Sequence, residues 1–126
     1  MLIRAAFLLA LLPSLAMGHS LEPGRVSAYA INGVTQFRIT AVNRFSENTR
    51  FVFEAYTDDT LTNPVDFNLT DFKFTLQPNQ KRSFRVLLRY SGEQIYICTR
   101  TVDEAREGAG FSTRVCSKAK LKQVIR

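Results

Sequence analysis

The chain holds a single histidine, two cysteines and no tryptophan in 126 residues, and these shortages exclude several kinds of chemistry. With one histidine, His19, no Ser, Thr or Cys nucleophile has a visible base. Cys98 and Cys116 are 18 positions apart with no histidine near them, which fits neither a zinc motif nor a closely spaced redox pair. A glycine-rich phosphate loop is absent. Asp58-Asp59 and Asp103-Glu104 are short acidic pairs without the regular oxygen spacing that calcium needs, so they read as solvated turns. No helical pattern with a basic face appears, so membrane-surface binding is not favoured. Repeats and low-complexity segments are also absent. The sequence therefore reads as a non-enzyme with no cofactor and no metal site of recognisable spacing.

What is present begins with a leader. Met1 to Gly18 carries one basic residue, Arg4, then the apolar run Ala5 to Leu12, a break at Pro13-Ser14, and the small-residue end Ala16-Met17-Gly18. This is the pattern of a secretory signal cleaved before His19, and it is too short for a membrane span. Nothing after it is apolar for long enough to cross a bilayer. Residues 19–126 are then expected to be one exported, periplasmic domain with one core. The charge is basic, with 17 Lys and Arg against 11 Asp and Glu. Loss of Arg4 with the leader lowers the net charge by one. Export argues against nucleic acid as the anionic partner, and the basic residues are scattered except near the C-terminus. In an oxidising compartment Cys98 and Cys116 are expected to form a structural disulfide, contributing about 3 kcal/mol in the chain-entropy view.

Along the exported part, period-two alternation recurs. Arg25 to Ile31 is followed by Asn32-Gly33, a hairpin signal, and then by Val34 to Val42. Further strands are expected over Arg50 to Thr57, Phe67 to Leu76, Lys81 to Tyr90 and Gln94 to Val102. The last runs from Phe111, with Phe111, Thr113 and Val115 on one face. Seven strands rich in Phe, Val and Ile, with no convincing helix, predict an all-β, immunoglobulin-like antiparallel β-sandwich. The missing tryptophan rules out the antibody-like variant, and the two cysteines fall on the last two strands, neighbours in such a sandwich. The phenylalanines read as core. Lys118, Lys120 and Lys122 line the final strand without an acid among them. The plain reading of that segment is an edge strand kept soluble by lysine; the functional one is a strand ready to receive another chain, especially one ending in a carboxylate. Asn68-Leu69-Thr70 matches a glycosylation sequon, a weak pattern that depends on the host.

Four stretches carry a resemblance to a known family. Leu21-Glu22-Pro23-Gly24-Arg25-Val26 is similar to the opening strand of the N-terminal domain of periplasmic pilus-assembly chaperones, the PapD-like proteins. Leu76-Gln77-Pro78-Asn79-Gln80, continuing through Arg85-Val86, resembles that family's L-x-P-G-x-x-x-x-x-R-V turn and strand, with Asn79 where glycine is usual. Ile95 to Val102 is similar to the strand before the subunit-binding strand, and Ser117-Lys118-Ala119-Lys120-Leu121 resembles the end of the binding strand itself. The resemblance implies that Arg25 and Lys120 hold the terminal carboxylate of a secreted, pilin-like subunit. Such paired cations give charge-assisted hydrogen bonds. It also implies that Phe111, Thr113 and Val115 form the edge for strand addition. An outer-membrane usher is a further partner it implies. The family's chaperones have a second domain; this sequence ends where the first would end, so a single PapD-like domain without that second domain is expected. An open edge would also allow a homodimer by strand pairing. Two alternatives stand beside the chaperone: a structural or accessory subunit of a cell-envelope assembly, and a small periplasmic metal-binding protein using His19 and its α-amine, for which no further ligand is visible.

Overall fold

The computed structural model describes residues 18–65, 67, 72–102 and 113–125. Eight strands follow one another: β1 His19–Glu22, β2 Arg25–Ile31, β3 Val34–Asn43, β4 Thr49–Tyr56, β5 Lys73–Leu76, β6 Lys81–Arg89, β7 Gln94–Val102 and β8 Arg114–Val124. The all-β, immunoglobulin-like expectation is met, with one strand more than the seven read from sequence. The addition is β1, four residues with Leu21 as their one buried apolar side chain. So short a strand gives no alternation to read. The leader, residues 103–112 with Phe111, and the Asn68-Leu69-Thr70 sequon lie outside the described residues, as does much of the expected Phe67 to Leu76 strand.

Pairing runs β1-β3-β2-β8-β7-β4-β5, with β6 on the other side of β3. All ladders are antiparallel but one: β2 runs parallel to β8, from Arg25 opposite Lys118 to Ile31 opposite Val124. This departs from the wholly antiparallel expectation. The first stretch of chain explains it. β1 pairs with β3, then the chain turns at Pro23-Gly24 and β2 pairs with β8. One extended segment thus changes sheets midway and closes the sandwich. The crossing is tied down where Ser117 donates its hydroxyl to the Pro23 carbonyl at 2.6 Å and the Lys118 amide donates to Gly24 at 2.9 Å.

The core follows from the alternation. Phe37 and Ile39 of β3, Phe51 and Phe53 of β4, Phe74 and Leu76 of β5, Phe84, Val86 and Leu88 of β6, and Ile95 and Ile97 of β7 are buried together. Phe53, Phe74 and Phe84 meet with ring centroids 4.6–5.2 Å apart, within the range where aromatic pairs attract beyond their area. Phe72 departs from the core reading: it precedes β5 and is about half exposed. Two of the turns between strands use left-handed backbone. Asn32 (φ 52°) and Gly33 (φ 79°) make the two-residue hairpin turn, as Asn-Gly predicts. Asn79 (φ 62°) occupies the position where the resembling family has glycine. Asparagine is among the few residues that tolerate this region.

Asn43 joins three pieces of this frame. Fully buried, it donates from Nδ2 to the Glu47 and Leu76 carbonyls and accepts from the Phe45 amide at Oδ1. Its backbone bonds Gln80 and Asn79 in the β5–β6 turn, and His19 is its register partner.

Candidate functional site

β8 lies between β2 and β7, and its two ladders are staggered. β7 pairs with it from Arg114 to Lys120, β2 from Lys118 to Val124. Only Lys118 to Lys120 is paired with strands on both sides. This corrects the simple edge-strand reading: β8 is internal over its middle. Its first residues, Arg114 to Ser117, have a strand partner on the β7 side alone, because the chain that would continue β2 has turned away to β3. Besides the short β1, which pairs with β3 alone, two further edges exist among the described strands, β5 beyond β4 and β6 beyond β3. Both carry cations, Lys73 on one and Lys81, Arg85 and Arg89 on the other, which discourage pairing.

Alternation along β8 puts Ser117, Ala119 and Leu121 in the core and turns Lys118, Lys120 and Lys122 outward. Arg25, Ser27 and Tyr29 of β2 face the same way, opposite Lys118, Lys120 and Lys122 in that order. Arg25 and Lys120 therefore share a face but stand two register positions apart, about 7 Å along the strand. Lys118 is the cation directly across from Arg25 and was not singled out by sequence. The signal was hidden because register between parallel strands leaves no trace in either strand's own pattern. Tyrosines flank the row: the Lys118 ammonium lies 5.9 Å from the Tyr96 ring centre and that of Lys122 6.0 Å from Tyr29. Among the described residues none of Arg25, Lys118, Lys120 and Lys122 pairs with a carboxylate. An open groove of about 830 Å³ runs beside Lys120 and Lys122, lined also by Ser27, Tyr29, Gln94 and Glu93. Such a row attracts an anionic group, and its strand-like spacing suits one at the end of an extended chain.

At the open half of β8 the charge is partly balanced. Glu54 of β4 accepts from both Arg100 and Arg114 at 3.2 Å, and the Arg114 guanidinium lies over Tyr56. Thr113 and Val115 are already engaged within the domain. The Thr113 amide donates to the Thr101 hydroxyl at 2.9 Å, and Val115 packs against the core. His19 closes this corner. Its Nε2 lies 3.2 Å from the Thr99 carbonyl, its Nδ1 3.4 Å from the Thr113 hydroxyl, and its ring centre 4.9 Å from that of Phe51. A proton on Nε2 suits these partners. Burial lowers the imidazole pKa, with the Thr99 hydrogen bond opposing. His19 thus serves as a clasp between β1, β7 and the start of β8. No cluster of three metal-ligating side chains occurs among the described residues.

Cys98 and Cys116 are directly opposite on β7 and β8 and form a disulfide, with Cα atoms 4.0 Å apart, as the sequence reading expected. The acidic turn at Asp58 is a loop staple. Its carboxylate accepts from the Thr60 and Thr62 hydroxyls and the Asn63 amide, and these bonds hold its pKa well below the usual range.

The architecture has known counterparts. Escherichia coli chaperone DraB is 17% identical, with a TM-score of 0.65 over 85% of this chain and 55% of that one. A chain of the Salmonella enterica SafA pilin–SafB chaperone complex is 16% identical, with a TM-score of 0.62 over 86% and 55%. WR4, a Caenorhabditis elegans MSP family member, is 9% identical, with a TM-score of 0.61 over 85% of this chain and 100% of that one. No protein-family model matches the sequence, and no curated protein matches it. At these identities the likeness shows the fold, that of PapD-like pilus chaperone and MSP domains. The chain spans little more than half the length of the chaperone chains it matches.

Proposed function

We propose that this protein is a periplasmic, chaperone-like factor that binds secreted, pilin-like subunits by strand addition. The incoming strand would run beside Arg114 to Ser117, where β8 has a strand partner on one side only. Its terminal carboxylate would be held by Arg25 and Lys120, with Lys118 between them in register. The observation that carries this reading is the outward row of cations, without carboxylate partners among the described residues, next to the stretch of β8 that β2 leaves unpaired. Phe111, Thr113 and Val115 remain the alternate side chains of that edge. Because Thr113 and Val115 are engaged in their own domain, backbone pairing and the charge anchor would supply most of the binding. An outer-membrane usher and self-pairing through the same edge belong to this proposal as further partners. So does export through the leader.

The test is retention of partners. The tagged protein is expressed in its own host's periplasm beside Arg25→Ala and Lys120→Ala variants. A secreted subunit held by the parent and lost from both variants supports the proposal. Equal retention by all three contradicts it. A second reading is a structural or accessory module of an envelope assembly. In that case the protein itself would be found in the assembled structure.

A further inference from the structure

Six large apolar side chains are exposed among the described residues, and five of them, all but Phe72, gather at one end of the sandwich. Register makes them neighbours. Ile31 and Val34 are directly opposite across the Asn32-Gly33 turn. Ile31 also faces Val124, the residue before Ile125, and Tyr29 lies one outward position back on β2. Leu87 faces Gln36, one outward position from Val34 on β3. Tyr29 is 65% exposed and Ile125 89%, so most of each side chain is left open to solvent.

The rim of this end is basic on both sides. Lys122 stands opposite Tyr29, and Arg89 opposite Val34. Next along the β3–β6 ladder, Arg38 and Arg85 are directly opposite and both exposed. Like charges facing each other across a ladder repel, and a bound anion removes that cost. None of these four cations pairs with a carboxylate among the described residues.

We infer that the β2–β3 hairpin end docks on an anionic phospholipid surface, with Ile31, Val34, Leu87 and Ile125 entering the interface and Arg89, Lys122, Arg38 and Arg85 meeting headgroup phosphates. A second copy of this chain is the less suitable occupant, since a symmetric contact would set one basic rim against another. Ile31, Val34 and Leu87 sit at a projecting turn and on the adjoining strand ends, outside the groove that Tyr29 and Lys122 line, a shape suited to a plane. Apolar insertion and attraction to anionic headgroups add together at such a surface. The inference does not depend on subunit binding, which is assigned to Arg25 and Lys120 and not to the apolar residues Ile31, Val34, Leu87 and Ile125.

The test is sedimentation of the exported chain with vesicles of phosphatidylglycerol and phosphatidylcholine against phosphatidylcholine alone. The N-terminus is read by mass spectrometry, so that parent and variants are compared with the same leader state. The parent pellets with the anionic vesicles, less so at raised salt. Arg89→Gln and Lys122→Gln each weaken binding about fivefold. Ile31→Thr with Leu87→Thr, which keeps strand-forming residues, removes most of it while leaving the melting transition and subunit retention in place. Absence of pelleting, or variants that pellet like the parent, would overturn the inference. So would a concentration-dependent dimer that the Ile31→Thr, Leu87→Thr variant dissolves.

Discussion

Replacing Asn43 by alanine is expected to destabilise the domain more than any surface change. The side chain makes three hydrogen bonds of 2.9–3.0 Å, to the Glu47 and Leu76 carbonyls and from the Phe45 amide. Each is worth about 1 kcal/mol net, and a buried group left without a partner costs about 1–3 kcal/mol more. The Leu76 carbonyl is the group at stake, since Leu76 is fully buried and alanine offers it no donor. The expected loss is about 3–4 kcal/mol, which for a domain of this size lowers the melting temperature by roughly 15 °C or more. Asn43→Asp should cost at least as much, because it sets a carboxylate against two carbonyl oxygens. Far-UV circular dichroism melts of parent and variants measure this directly. A shift under about 4 °C for Asn43→Ala, roughly 1 kcal/mol, would refute the claim that this residue holds the β3 end, the 44–48 loop and β5 together.

Other expectations concern the site and its supports. Because burial lowers the His19 pKa, the unfolded chain binds the extra proton more readily. The clasp's contribution is therefore complete above the unfolded imidazole value of about 6.5 and is lost as pH falls through the lower folded value. Chemical denaturation between pH 5 and 7.5 should show this dependence in the parent and a flatter one in His19→Gln; identical profiles would contradict it. Ser117→Ala removes the 2.6 Å bond to Pro23 and should cost about 1–2 kcal/mol; no change in the melt would mean the crossing is held by other contacts. Reducing the Cys98–Cys116 bridge should cost about 3 kcal/mol, and an unchanged melt under reductant would contradict a stabilising role. Lys120→Ala should leave the melt within about 0.5 kcal/mol of the parent, since the residue is exposed; a large drop would assign it a structural part.

Much of the fold was legible because the period of two marks a strand's buried face without knowledge of its neighbours. Phe37 and Ile39, Phe51 and Phe53, and Phe84 and Val86 all alternate cleanly and all enter the core. Asn32-Gly33 announced its own turn chemistry. The expectation of export made the bridge between Cys98 and Cys116 readable before their strands were known to be adjacent. Partner choice was not legible. The sheet change at Pro23-Gly24 decides that β2 runs parallel to β8, and this alone puts Lys118, rather than Lys120, across from Arg25. It also makes β8 internal over Lys118 to Lys120, where lysine spacing suggested an edge. His19, which the sequence marks only as the expected first residue after the leader, becomes a clasp because β1 pairs with β3, a contact that four residues cannot advertise. The exposed end around Ile31 and Leu87 was hidden for a related reason: Ile31 looks like a core residue until its face is known.

The central claim is that a client strand adds to the open half of β8. Hydrogen–deuterium exchange on the protein with and without a co-purified subunit tests it most directly. The account predicts new protection at Arg114 to Ser117, lost when Arg25 and Lys120 are both replaced by alanine. Protection confined to β5 or β6, or none on β8, would contradict it.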